Sequence, residues 1–69
     1  MEIHWKDGFK IKVEIQGDEA VLSANREGLL SLAGIMASLA DECAGDHIHL
    51  DENNSLEDGS DEIIIVKID

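Results

Sequence analysis

The chain has 69 residues and a formal net charge of −11, from 16 Asp+Glu against 5 Lys+Arg. A globule this small buries only about 60% of the surface its unfolded chain exposes, which leaves little room for a deep pocket with a catalytic apparatus. At 43% hydrophobic it is too apolar for simple disorder, its acidity disfavours nucleic-acid phosphates and anionic membranes, and its single cysteine excludes an internal disulfide framework.

The first residues carry neither an apolar signal core nor transit-peptide composition, and no apolar run approaches the roughly 20 residues of a membrane span. One soluble, cytoplasmic domain over residues 1–69 is expected. Met1, Ile3 and Trp5 alternate with Glu2, His4 and Lys6, which reads as a half-buried strand. Phe9, Ile11, Val13 and Ile15 alternate in the same way with Lys10, Lys12, Glu14 and Gln16. A two-residue Asp7-Gly8 loop would set Trp5 opposite Lys10. A three-residue loop, Lys6 to Gly8 with Gly8 left-handed, pairs Trp5 with Phe9 and Ile3 with Ile11 and keeps one face apolar. A following Gly17-Asp18 loop pairs Ile15 with Ala20 and Val13 with Leu22. A three-stranded meander over residues 1–24 results.

A helix comes next, over roughly 26–43. Asn25 or Ser23 can cap it, and Glu27 suits the first-turn dipole. Leu29, Leu30, Leu32, Ala33, Met36, Leu39, Ala40 and Cys43 recur at helical spacing and form the expected inner face, with Cys43 an inert core thiol. The expected outer stripe is Glu27, Ser31, Gly34 and Ser38 with Asp41 or Glu42. Gly28 and Gly34 read as tolerated glycines, and Gly45 as the stop after Ala44.

Two strands finish the chain. His47 to Asp51 alternates, and Glu62 to Ile68 is nearly continuously apolar, as in a central strand. The expected fold class is α+β. It has two layers, with one mostly antiparallel sheet of about five strands, order βββαββ, packed on a single helix. With Ile64, Val66 and Ile68 turned to the helix, Ile63 and Ile65 would lie uncovered beside Val21, His4, His47 and His49. They would form a surface for a partner or a homodimer.

Charge is unevenly placed. Residues 1–26 hold four of the five bases and five acids, while residues 27–69 hold eleven acids and Lys67 alone. The bland reading is solubility. The sharper one is complementarity to a basic partner, with Asp51, Glu52, Glu57, Asp58, Asp61 and Glu62 as candidate steering residues. His47 and His49, at i and i+2 on a strand, share a face with Asp51 and join the candidate partner-binding set. They could hold zinc, but lack paired motif spacing. Asp51 to Glu62 imitates the ligand frame of a calcium loop, yet places Leu56 where glycine is required. No metal site, cofactor or catalytic residue is expected.

Three segments carry a family likeness: Ser23-Ala24-Asn25-Arg26-Glu27-Gly28-Leu29-Leu30-Ser31-Leu32-Ala33, Gly45-Asp46-His47-Ile48-His49-Leu50-Asp51, and Ser55-Leu56-Glu57-Asp58-Gly59-Ser60-Asp61-Glu62-Ile63. Their order and spacing over roughly residues 20–68 resemble the immunity protein 32 family of bacterial polymorphic toxin systems. The resemblance implies a non-enzymatic protein, made alongside a toxin, that binds and neutralises it. Its matching positions are Asn25, Arg26, Glu27 and Gly28, then His47 and His49, then Asp58, Gly59 and Ser60. Two other readings stand beside it. One is an acidic modulator of a basic nucleic-acid-binding protein. The other is a small metal-dependent enzyme or carrier built on His47 and His49.

Overall fold

The computed structural model describes residues 1–69. Its elements are β1 (Ile11–Gln16), β2 (Glu19–Ala24), α1 (Arg26–Ala40), β3 (His47–Leu50) and β4 (Ile63–Val66). The architecture is α+β with one helix. The strands form two separate antiparallel pairs, β1–β2 and β3–β4, and not one five-stranded sheet.

The β1–β2 register follows from its turn. Ile15 faces Ala20 and Val13 faces Leu22 across a Gly17-Asp18 loop in which Gly17 has φ 62°. Alternation does the rest: Ile11 and Val13 are buried, while Ile15, at the turn end of the hairpin, is exposed.

The expected strand over Met1–Trp5 does not form, and the reason lies across the molecule. The β1 edge it would have used is taken by residues 57–61. The amides of Glu57 and Asp61 donate to the Ile11 and Val13 carbonyls at 2.8 and 2.7 Å. In return the Val13 amide donates to Ser60 Oγ at 3.2 Å, and the Ile15 amide to a carboxylate oxygen of Asp61 at 2.7 Å. Residues 1–8 instead run antiparallel along the helix, from the Met1 ammonium 3.6 Å from the Glu42 carboxylate, past Lys6, whose amide donates to Ser31 Oγ at 2.9 Å, to Gly8 beside the Asn25 cap. The Lys6–Phe9 turn with a left-handed Gly8 is present, and Trp5 and Phe9 meet by stacking, ring centroids 4.7 Å apart, without strand pairing.

Asn25 caps α1, its side-chain oxygen accepting from the Gly28 amide at 2.8 Å. The same oxygen accepts from the Lys10 amide, and its NH2 donates to the Gly8 carbonyl, so one side chain ties the turn, β1 and the helix together. The helix stops at Ala40, short of Ala44. Lys67 explains this end: its ammonium donates to the Ala40 and Glu42 carbonyls at 2.6 and 2.7 Å, supplying the cation that the last turn lacks.

The inner face of α1 differs from the expected one. Gly28, Ser31, Leu32, Ile35 and Leu39 are buried, whereas Leu29, Leu30 and Met36 are exposed. Close approach decides this. A Cβ on Gly28 would lie 2.5 Å from the Lys10 carbonyl and 2.9 Å from the Ile11 side chain, so only glycine lets the hairpin sit here. Gly34 has open space around it, as a tolerated glycine should. Ser31 is buried without penalty because its hydroxyl donates to the Glu27 carbonyl while accepting from Lys6. Cys43 lies beyond the helix and is exposed, not core.

The second hairpin also corrects the expected facing. His47 pairs with Val66 and His49 with Ile64, and directly paired residues share a face. Ile48 and Leu50 are buried, so Ile63 and Ile65 turn inward with them and pack on the core. Ile64 and Val66 turn out beside the histidines. Ile11, Val13, Leu32, Ile35, Ile48, Leu50 and Leu56 form the core.

Candidate partner-binding surface

The segment Asp51–Glu62 leaves β3, returns to β4, and is anchored at its middle. Leu56 is 5% exposed and belongs to the core, which accounts for an aliphatic residue where a calcium loop needs glycine. The Asp51 carbonyl accepts the amides of Asn54, Ser55 and Leu56, and its carboxylate accepts the Asn53 amide at 2.9 Å. Farther along, Gly59 has φ 85° and donates its amide to the Glu52 carboxylate at 2.6 Å.

The six loop carboxylates therefore divide. Asp51, Glu52 and Asp61 hold the shape of the loop or the edge of β1. Glu57 and Asp58 are exposed near the Gly59 turn. Glu62 is exposed, with a carboxylate oxygen 3.9 Å from His49 Nδ1. The His47 and His49 rings lie edge to face, centroids 5.1 Å apart, and His47 Nδ1 lies 3.2 Å from the Gly45 carbonyl.

No group of three His, Cys, Asp or Glu side chains converges in a way that could hold a metal ion. Two open recesses mark the surface. One, of about 390 Å³, is lined by Lys10, Lys12, Asn25 and Glu57 among others; the second, of about 310 Å³, runs from Phe9 along residues 52–57. The N-terminal Lys10 and Lys12 thus border the loop, in one recess with Glu57.

Two residues escaped the sequence reading of this surface. Ile64 and Val66, 47% and 49% exposed, stand directly opposite His49 and His47. The signal that could have found them is the alternation of β3. Once Ile48 and Leu50 are assigned to the core, strand pairing fixes which half of Ile63–Val66 follows them.

What emerges is a small acidic α+β domain with a carboxylate-rich loop beside a mixed histidine and aliphatic strand face. A family model, immunity protein 32, matches residues 19–68, and the chain belongs to that family. The match takes in α1, the loop and the second hairpin, and leaves out β1, which contributes Ile11 and Val13 to the core. No curated protein and no solved structure matches the chain. No helix is long and apolar enough to cross a membrane.

Proposed function

We propose that the protein neutralises a cognate toxin in the cytoplasm of the producing cell by binding it stoichiometrically, without catalysis. The acidic loop meets a basic surface of the toxin and occludes its active or substrate-binding region. The observation that carries this reading is the disposition of charge. Eleven of the sixteen acids lie in residues 27–69, and Lys67, the one base there, spends its ammonium on the end of the helix. Glu57, Asp58 and Glu62 are exposed; Lys10 and Lys12 of the first hairpin border Glu57 but form no ion pair with it.

A surface of one sign speeds encounter with an oppositely charged partner and discourages others. The His47, His49, Ile64 and Val66 face borders Glu62 and supplies aliphatic area for the docked state. Membership of the immunity protein 32 family supports the class of partner.

Association kinetics with the toxin encoded beside this gene test the proposal. The on-rate should fall steeply as salt rises, because exposed charges are screened beyond about 8 Å at physiological ionic strength. A Glu57→Gln, Asp58→Asn double variant should lower the on-rate more than it raises the off-rate. Rates indifferent to both salt and neutralisation would assign the acidity to solubility alone. Capture of a harmless, basic nucleic-acid-binding protein in place of a toxin would favour the modulator reading.

A further inference from the structure

The outward side of α1 carries a pattern that neither the fold nor toxin binding uses. On a helix of 3.6 residues per turn, Arg26, Leu30, Ala33, Ala37 and Ala40 form one line, at spacings of four, three, four and three. All are exposed, and Leu29 and Met36, 55% and 48% exposed, flank them. Between Gly28 and Ala40 the helix has no charged residue at all. The only charges on the line stand at its ends: Arg26, whose side chain is 78% exposed and lies 3.6 Å from the Glu27 carboxylate, and the exposed Asp41 of the C-cap.

We infer that this face binds a second copy of the same chain, with the two helices antiparallel about a two-fold axis near Ala33 and Gly34. Four-three spacing of apolar positions is the seam that packs helix on helix. With the axis there, facing residues have numbers that add to 67. Leu30 meets Ala37 of the second copy, a large side chain against a small one, and Arg26 meets Asp41 of the second copy. Two-fold symmetry makes each contact twice. A parallel pair would set Arg26 against Arg26 and Asp41 against Asp41, so the end charges select the antiparallel one.

Charge also selects the occupant. A basic toxin finds a single carboxylate on the strip, Asp41 at its end, and an anionic membrane finds only Arg26. A second copy brings complementary ends. The strip is about 22 Å long and one helix wide. That is smaller than the roughly 800 Å² per partner of a standard interface, so the dimer dissociates on dilution. The inference is independent of the proposed toxin binding.

Sedimentation of the full chain over a concentration series is the test. The wild type should move from 7.5 kDa toward twice that mass. Ala37→Glu should remain at 7.5 kDa throughout. Arg26→Glu and Asp41→Arg should each weaken association about three- to ten-fold, and the double variant should restore it. Each of these charge changes suits the helix dipole at its own end, so weakened association would not reflect unfolding. A wild type that stays monomeric at millimolar concentration overturns the inference. So does an Ala37→Glu variant that associates as the wild type does, or charge variants without effect on association.

Discussion

β1 and β2 are joined by Gly17 and Asp18 alone, whereas β3 and β4 are joined by the whole of Asp51–Glu62. Both are two-stranded antiparallel pairs, and a lone pair of strands is marginal in water. The first pair has its register set by the chemistry of its own turn. The second has it set at a distance, by the demand of Ile48 and Leu50 for the core. The connection that closes the second pair also serves the first, since residues 57–61 occupy the free edge of β1. Neither hairpin stands without the segment that the two share.

Five substitutions probe this dependence, the four destabilising ones in falling order of effect. Ile11→Asp places an unpaired charge at the fully buried first residue of β1. It should cost more than about 4 kcal/mol and abolish cooperative melting of both hairpins together. A variant that still melts sharply at the wild-type temperature would show the two halves to be independent. Leu56→Ala removes the anchor of the connection and should cost about 2–5 kcal/mol in urea unfolding. A loss near zero would mean that the loop rides on the fold without supporting it.

Gly28→Ala and Gly34→Ala form a matched pair. The first forces a methyl group against the Lys10 carbonyl and Ile11, and should destabilise by about 1–3 kcal/mol. The second fills open space on the helix and should stabilise by up to about 1 kcal/mol. Equal effects in thermal melts would refute the packing of the hairpin on Gly28. Asp61→Ala withdraws one side-chain acceptor from the exposed edge of β1, where water can replace it. About 0.5–1.5 kcal/mol is expected, the smallest of the four losses.

Local chemistry was legible in the sequence. The Gly17-Asp18 turn fixed the partners of Val13 and Ile15, and Asn25 stood as one of two cap candidates, with Ser23. The family likeness likewise rested on short runs, at the Asn25 helix start, along His47–Asp51 and around Gly59. What could not be read were choices between equally apolar alternatives. Hydrophobic counting favours Leu29, Leu30 and Met36 for the core side of α1, but the close backbone approach at Gly28 chose the face of Gly28, Ser31 and Ile35. In Ile63–Val66 every residue is aliphatic, so only the pairing with β3 decides which side is which. The missing first strand has a similar origin. Nothing in Met1–Trp5 says that Ser60 and Asp61 will reach β1 first. Of the candidate site, the acidic loop was evident as composition, while the division of its carboxylates into structural and exposed groups required the geometry.

The amides of Val13 and Ile15 bond to side chains 47 and 46 positions away. The β1–β2 hairpin and the start of α1 involve only short separations, so they can form before such long loops close. Residues 57–61 then dock late, and the same contacts can open without melting the helix. In native-state hydrogen exchange the amides of Val13, Ile15, Glu57 and Asp61 should exchange as one cooperative unit, ahead of the interior of α1. A partner that grips the acidic loop would slow that unit selectively, giving a footprint of binding that requires no structure of the complex.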